Sequence, residues 1–282
     1  MKITKNNLRF LPFLLPSIIG VFLFILLPFA DSVRRSFCTA VKGDYIGLKN
    51  YETIFHNEAF ALAVKNTLRF TAVCLPVLII SSFFIAYFLC RLKYIRLIKS
   101  ALLFPLAVPT ATLVFIWQVL FGDSGCINGI LQDMGSEGIS FLHSGASFYV
   151  LVGSYVWKNL GYTVLLWVTG MMSISTSLTE AARVDGANER QCLFKIILPN
   201  LKPTLYTITI LSFLNSFKVF REAYLVAGSY PHESIYLLQH LFNNWFVNME
   251  LDKIAAAAVC VFAVIFLGII LLQRLWDREK SL

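Results

Sequence analysis

The stretch FTAVCLPVLIISSFFIAYFLC, residues 70–90, carries no charged side chain and decides the class of fold. An α-helix needs about 20 apolar residues to cross the hydrocarbon core of a bilayer. Similar uncharged runs cover residues 10–30, 100–122 and 254–273. The chain as a whole is 57% hydrophobic and 14% charged, whereas a soluble domain is about 25% charged. The sequence therefore predicts an integral membrane protein.

Two weaker apolar runs complete the set of expected spans. Residues 147–172 are interrupted only by Lys158, and residues 204–228 stay uncharged as far as Phe217. Because unpaired backbone groups cannot face lipid and no alternating barrel pattern is present, we expect an all-α integral membrane protein with six transmembrane helices. The expected organisation is an N-terminal segment at 1–9, one six-helix domain at 10–276 with a polar loop at 173–203, and a tail at 277–282. The expected spans are about 10–30, 68–90, 100–122, 148–172, 203–226 and 254–273.

The distribution of basic residues predicts the orientation in the membrane. With the N-terminus inside, the inner segments hold 14 of the 24 Lys and Arg residues and 5 of the 16 acidic residues. An excess of Lys and Arg marks the cytoplasmic side, so we expect an N-in, C-in topology. The basic residues behind the net charge of +8 then set the orientation of insertion and are attracted to the anionic inner leaflet. Nucleic acid is not an expected partner.

The motifs of common catalytic and metal sites are missing from the sequence. There is no GxxxxGK[ST] phosphate loop, no HExxH, no GxSxG and no CxxC, and the four histidines are scattered. Cys38 and Cys126 are the only cysteines expected in outer loops, where a disulfide is conceivable. We therefore expect no enzyme activity, no cofactor and no metal, and energy for any active transport has to come from another subunit or an ion gradient.

The polar loop at 173–203 is the most informative segment for function. Turns between antiparallel helices usually take about 2–8 residues, and longer connections are usually functional. The loop contains EAARVDGA at residues 180–187 and KIILP at residues 195–199. Local order is therefore expected in it.

The loop has the start and stop signals of two short helices. Ser177 and Glu180 have the spacing of a capping box, which predicts a helix that starts at the next residue. Gly186 can adopt a positive φ and end this helix in a sharp turn. Asn188 and Gln191 can cap a second helix, whose apolar end leads back to the bilayer. The loop is predicted to form a helix–turn–helix.

At these residues the loop resembles the "EAA" loop of the inner-membrane permeases of binding-protein-dependent ABC importers, whose pattern is roughly EAAxxDGAxxxxxFxxIxLP. Nine residues match it in register: Glu180, Ala181, Ala182, Asp185, Gly186, Ala187, Ile196, Leu198 and Pro199. Leu193 departs from the pattern where Phe is usual, with Phe194 one position later, and Ser175 stands where proline is common. Weaker similarities to sugar-type permeases lie elsewhere, at residues 47–51, 66–67, 104–105, 117, 125–128 and 216–231.

The resemblance implies a MetI-like fold, that of type I ABC importer permeases, in a bacterial inner (cytoplasmic) membrane. The likeness is to the maltose-permease-like half of a heterodimeric carbohydrate importer, so it implies a second permease subunit that forms a heterodimer with this one. It also implies two cytoplasmic ATP-binding subunits and an extracellular or periplasmic sugar-binding protein. Each permease would place its EAA helix in a cleft of an ATP-binding subunit. Glu180 would cap and make polar contacts, Ala181 and Ala182 would pack closely, Gly186 would form the turn, and Asp185 would orient the turn or pair with a basic group.

The function that follows is that of a permease subunit of a carbohydrate importer, with no covalent chemistry of its own. One alternative is an importer of another solute, such as a peptide, an amino acid or a polyol phosphate, because these systems share the loop. Another is a secondary transporter or channel, which should show intramembrane carboxylates or inverted repeats, whereas the spans are expected to hold essentially no buried acid. The loop could also simply lie on the leaflet as an amphipathic segment, and a membrane scaffold would leave its order unexplained.

Six residues are candidates for the substrate path, and each also has a structural interpretation. The two tryptophan rings could stack on a sugar, although tryptophan is also common at membrane interfaces. The two asparagine amides could hydrogen-bond to sugar hydroxyls or join neighbouring spans. Lys158 could lie on the substrate path, or it could snorkel or pair with an acid. Arg221 and Glu222 are expected to pair with each other. The six candidates are Trp117, Trp157, Lys158, Asn159, Asn215 and Lys218.

Overall fold

The structure is a computed structural model that describes residues 11–91 and 95–280. The expected N-terminal segment at 1–9 and the last two residues of the expected tail lie outside these ranges. Within them the chain is helical, and its only extended pairing is an isolated antiparallel bridge between Cys38 and Tyr45. The predicted all-α class is confirmed.

The α-helices follow one another in chain order. They are α1 (Leu11–Val21), α2 (Leu27–Arg35), α3 (Lys49–Phe55), α4 (Glu58–Leu89), α5 (Ile95–Ala107), α6 (Thr110–Phe121), α7 (Cys126–Asp133), α8 (Ser147–Met172), α9 (Thr176–Val184), α10 (Glu189–Cys192), α11 (Leu198–Asn200), α12 (Lys202–Ser216), α13 (Phe220–Ala227), α14 (Leu238–Val247) and α15 (Leu251–Lys280). Single π-helical turns lie at Phe22–Leu26 and Leu193–Ile197, and 3₁₀ turns at Phe217–Val219 and Glu233–Ile235.

Several helices have the length and composition of membrane spans. Four stretches of the described residues are long and apolar enough to cross a bilayer: Phe13–Arg35, Glu58–Leu89, Thr110–Asp133 and Leu251–Leu271. The protein is therefore built around membrane-spanning helices, as predicted.

The third and fifth expected spans differ from single continuous helices. The third is divided between α5 and α6, because Pro109 takes an extended ψ of 142° at the start of α6 and a residue before proline avoids the α conformation. The fifth runs through α12, tightens into the 3₁₀ turn at Phe217–Val219 and continues as α13.

The chain divides into two compact units, Met1–Ala61 with Phe242–Leu282 and Leu62–Leu241. In the described part of the first unit, α15 packs against α2 and α3, with the rings of Phe29 and Phe262 4.7 Å apart. The side-chain amide of Asn50 donates hydrogen bonds to the carbonyls of Ser36 and Cys38 and so fixes the segment that follows α2.

The second unit contains α5 to α13, and helix α8 lies at its centre. Two apolar clusters form along α8, one with its first half around Tyr155 and one with its second half around Trp167. Helix α5 approaches α8 so closely that a Cβ atom on Gly161 would lie 1.7 Å from the carbonyl oxygen of Leu102. Only glycine permits this approach, so the packing of α5 on α8 depends on that position.

Candidate functional site

The loop between α8 and α12 is folded into a pair of short helices, which we call the loop helix pair (residues 175–200). Helix α9 ends at Val184, and Gly186 follows with φ +85°. Helix α10 then begins at Glu189 and continues through the π-helical turn into α11. The predicted helix–turn–helix and the positive φ of Gly186 are confirmed.

The two expected capping boxes have different outcomes. At α10 the box is confirmed. The backbone N–H of Gln191 donates to the side-chain oxygen of Asn188, and the backbone N–H of Asn188 donates to the side-chain oxygen of Gln191, both at 2.8 Å. At α9 the prediction is wrong: the N-cap is Ser175, two residues earlier, and it makes no side-chain capping bond. The Ser175 hydroxyl instead pairs with that of Ser177 at 2.7 Å.

The turn side of the loop helix pair is open to its surroundings. Glu180, Ala181, Asp185 and Gly186 are exposed, and Val184 is 88% exposed. The carboxylates of Glu180 and Asp185 have no hydrogen-bond partner within the described residues. Polar, small and apolar groups therefore form one uncovered surface, which is suited to contact with another protein.

The other end of the loop helix pair is anchored in the second apolar cluster. Leu193, Ile197 and Leu198 pack against the group that contains Trp167 and Leu201. Phe194, by contrast, is 58% exposed. Leu193 thus occupies the packed position of the helix, and the aromatic ring one residue later points away from the core.

A group of three charges ties the two short helices to the end of α4. Glu189 accepts from Arg91 at 2.5 Å and from Arg183 at 2.8 Å. Arg91 also donates to the Tyr87 hydroxyl and lies over its ring, 4.4 Å from the centroid. The charge of Arg91, followed by that of Arg183, lowers the pKa of Glu189. The carboxylate is therefore held ionised between two guanidinium groups, an arrangement that we call the Glu189 bridge.

Four of the six candidate substrate-path residues line one cavity, which we call the polar cavity. Its volume is about 120 Å³, and α5, α8, α12 and α13 with the preceding 3₁₀ turn supply its walls. The lining residues are Leu106, Ser154, Tyr155, Lys158, Asn159, Asn215, Lys218, Val219 and Glu222.

The polar groups of the cavity already hydrogen-bond to one another. Lys158 donates to Glu222 and, at 3.4 Å, to the Thr110 hydroxyl. Lys218 donates to the side-chain oxygen of Asn215 at 2.9 Å. Asn159 donates to the Tyr155 carbonyl of its own helix at 2.8 Å. The cavity is thus lined by hydrogen-bonding groups held in place by α8, α12 and α13.

The two candidate tryptophans lie beside this cavity instead of lining it. Trp117 lines a smaller adjoining space that shares Ser154 and Glu222 with the polar cavity. Its indole donates to the Ser154 hydroxyl at 2.9 Å, and the Trp157 ring packs edge-on against it at 6.2 Å. The structure therefore groups the two rings together and separates them from the amides and lysines.

Glu222 has a partner and a burial that differ from those expected from the sequence. The expected pair with Arg221 is wrong, since the carboxylate pairs with Lys158. The expectation that the spans hold no buried acid is also wrong, because Glu222 is 5% exposed. A useful signal was available: an isolated lysine in one span is costly unless an acid neutralises it.

In residues 11–91 and 95–280, no group of three or more His, Cys, Asp or Glu side chains could hold a metal ion. Cys38 and Cys126 are free thiols.

Known proteins resemble this chain over nearly its whole length. The sn-glycerol-3-phosphate transport system permease protein UgpA of Escherichia coli O6:K15:H31 is 28% identical over 275 residues, which cover 93% of this chain and 92% of the relative. The arabinooligosaccharides transport system permease protein AraP of Bacillus subtilis strain 168 is 30% identical over 281 residues, with coverages of 95% and 88%.

A solved structure with the same fold and a match to a family profile agree with these two relatives. A crystal structure of a bacterial ABC transporter involved in the import of the acidic polysaccharide alginate contains a chain of the same fold, with a TM-score of 0.82 at 23% identity over 98% of this chain and 96% of that one. The sequence profile of the binding-protein-dependent transport system inner membrane components matches residues 70–281. With its helical fold and its loop helix pair, the chain belongs to the family of inner membrane components of binding-protein-dependent transport systems.

Proposed function

We propose that this chain is the permease subunit of an ATP-driven importer of sugars. The chain is a transporter subunit and not an enzyme, and ATP hydrolysis belongs to separate subunits. The relatives act in systems for arabinooligosaccharides and for sn-glycerol 3-phosphate, which supports cargo of the sugar and polyol class. The proposed location is the bacterial cytoplasmic membrane.

The proposed topology has six spans with both termini inside, in a single domain over residues 10–276. The basic residues of the inner segments support this orientation. Helix α8 supplies one of the two spans that the four clear candidates do not include, and α12 with the 3₁₀ turn and α13 supplies the other. A helix of 26 residues such as α8 is about 39 Å long, which is enough to cross the hydrocarbon core of about 30 Å. The loop helix pair then faces the cytoplasm.

The proposed coupling element is the exposed turn side of the loop helix pair. Glu180, Ala181 and Asp185 would contact a cytoplasmic ATP-binding subunit, while Ile196, Leu198 and Pro199 connect the pair to the membrane helices. The single observation that carries this proposal is the combination of an uncovered turn with an apolar end packed on Trp167. A partner that pushes on the turn would move the helices that flank it.

The proposed partners complete the importer. A second permease subunit would form the translocation path together with this chain, two ATP-binding subunits would drive it, and a sugar-binding protein would deliver the cargo. The polar cavity, with Lys158, Asn159, Asn215 and Lys218, is the proposed part of the path in this subunit, and Trp117 and Trp157 would lie at its side.

Gly186 provides the sharpest test of the coupling role. A side chain is strained at φ +85°, so Gly186→Val should distort the turn. Gly135 is a matched control, because it has φ +77° and, like Gly186, has no atom within 4 Å of a built Cβ. Gly135→Val therefore imposes the same backbone strain outside the loop.

The measurement is ATP hydrolysis by the complete importer in proteoliposomes, stimulated by its binding protein in a mixture of neutral and acidic sugars, oligosaccharides and polyol phosphates. We expect Gly186→Val to abolish the stimulation and Gly135→Val to retain it, with equal amounts of both variants inserted. Normal stimulation in Gly186→Val would refute the coupling role. Uptake that continues without ATP and stops when ion gradients are collapsed would favour a secondary transporter instead.

A further inference from the structure

The polar cavity carries an unequal number of positive and negative groups. Lys158 and Lys218 contribute two ammonium groups, and Glu222 contributes one carboxylate. Its lining therefore has a net formal charge of +1. Of the two lysines, Lys218 is exposed, so a solute can reach its ammonium group.

The carboxylate neutralises only one of the two lysines. Glu222 pairs with Lys158, and both side chains are largely removed from solvent, with exposures of 6% and 22%. Lys218 donates to Asn215, a neutral amide, and no carboxylate of the described residues pairs with it. Lys218 is thus the group in this cavity that an anion would satisfy.

Glu222 has a carboxylate oxygen that lacks a hydrogen-bond donor. Its Oε1 atom accepts from Lys158, but its Oε2 atom is buried and has no hydrogen-bond partner among the described residues. A buried acceptor without a donor loses its hydration without compensation. A hydroxyl group of a ligand would restore the missing bond, and Asn159 and Asn215 add amide groups on the neighbouring helices.

We propose that the polar cavity selects a solute that carries both hydroxyl groups and an anionic group, so that the cargo is an acidic sugar or polyol. The anionic group would pair with Lys218, and a hydroxyl would donate to Glu222 Oε2. A carboxylate and a phosphate are both compatible with this chemistry. The inference rests on the proposed importer function and adds the charge of the cargo to it.

The test compares acidic compounds with their neutral counterparts on the complete importer, without nucleotide and without binding protein, so that only the membrane subunits select. The probes are galacturonate with galactose, for the carboxylate, and glycerol 3-phosphate with glycerol, for the phosphate. Binding is measured by saturation-transfer NMR at constant ionic strength. Lys218→Gln removes the charge, and Lys65→Gln, at an exposed position of α4 outside the cavity lining, is the matched control.

We expect at least one acidic probe to bind about tenfold more tightly than its neutral counterpart, a ratio that corresponds to about 1.4 kcal/mol. Lys218→Gln should abolish this preference, and Lys65→Gln should keep it. Which pair shows the preference distinguishes a carboxylate from a phosphate.

Four results would overturn the proposal, and the first three are equal binding of acidic and neutral probes, no binding of any probe, and an unchanged preference in Lys218→Gln. Loss of the second permease from the Lys218→Gln complex would assign Lys218 to the contact between subunits, and would also overturn it. Failure here is separable from failure of the importer function, because the Gly186→Val experiment measures stimulated ATP hydrolysis and does not depend on the charge of the cargo.

Discussion

Removing one partner of the ion pair between Lys158 and Glu222 should destabilise the fold strongly, whereas replacing both partners together should cost little stability. Both partners lie within the helical core of the second unit, and Glu222 is almost completely buried. Replacing one partner leaves the other as an uncompensated buried charge, whereas replacing both by apolar residues removes both desolvation penalties. The perturbations are Lys158→Met, Glu222→Leu and the double variant.

The structure sets the order of the expected losses. Removing one partner of a buried pair costs about 3–5 kcal/mol. Lys158→Met should lie at the upper end, since it leaves the 6%-exposed carboxylate with neither oxygen bonded to a lysine. Glu222→Leu should lie at the lower end, because Lys158 is 22% exposed and still has Thr110 at 3.4 Å. The double variant should fall within about 1 kcal/mol of the natural protein, because exchanging a buried pair for apolar groups is often neutral.

Equilibrium unfolding in mixed micelles of dodecyl maltoside and increasing SDS measures these free energies. The exposed pair of Arg34 and Asp31, with exposures of 61% and 43%, is the matched control, and Arg34→Gln should cost less than about 1 kcal/mol. Single variants as mild as Arg34→Gln, or a double variant that loses the sum of the two single losses, would show that Lys158 and Glu222 do not depend on each other as a buried pair.

Glu189→Gln removes the carboxylate of the Glu189 bridge, and we expect it to uncouple the importer partly, so that less cargo is taken up per ATP hydrolysed; an unchanged ratio would show that the bridge has no part in coupling. Burial lowers the pKa of His240 to about 4, whereas the side chain in the unfolded chain titrates near 6.5. Between these values the unfolded state binds the proton and the folded state does not, so the free energy of unfolding should fall by up to about 3 kcal/mol as the pH drops from 6.5 to 4. Melting temperatures in buffered detergent should show this loss of stability, and His240→Leu should remove its pH dependence. Gly161→Ala places a Cβ atom 1.7 Å from a backbone oxygen of α5 and should impair folding, whereas Gly153→Ala, on the same helix with no atom within 4 Å of its Cβ, should leave thermal stability and yield of folded protein unchanged.

Features with a local physical cause were predictable from the sequence. The positive φ of Gly186 and the capping box between Asn188 and Gln191 depend on residues within a few positions of each other, so their geometry follows from the local sequence. The start of α9 was missed because Ser175 and Ser177 are both competent N-caps. The three-residue spacing to Glu180 favours Ser177, but the chain leaves α8 at Met172 and is helical again from Thr176, so Ser175 is the N-cap.

Features that depend on contacts between distant segments were harder to predict. Glu222 follows Arg221 directly, but consecutive residues on a helix do not face each other. Its real partner, Lys158, lies 64 positions earlier on α8, and only the packing of α8 near α13 brings them together. The separation of Trp117 from the lysines has the same origin, since several helices meet at the polar cavity and the sequence does not specify which faces they turn towards it.

The connection between the loop helix pair and the polar cavity is direct along the chain. Helix α8 ends at Met172, just before the pair, and carries Lys158 and Asn159; helix α12 begins at Lys202, just after it, and carries Asn215. Asn215 is 13 residues from the start of α12, about 20 Å at 1.5 Å per residue.

Under the proposed function, a displacement of the pair would reach two walls of the cavity at the same time. The 3₁₀ turn at Phe217–Val219 interrupts the second path immediately beyond Asn215, and 3₁₀ stretches within helices often mark hinges. Movement along α12 would change the angle between α12 and α13 at this turn, which carries Lys218. Lys218 lies on this turn, whereas Glu222 and Lys158 are paired beyond it. A change of angle at the turn would therefore alter the distance between the Lys218 ammonium group and the pair. Under the proposed function, a push on the exposed turn of the loop helix pair would in this way change how tightly the cavity holds its cargo.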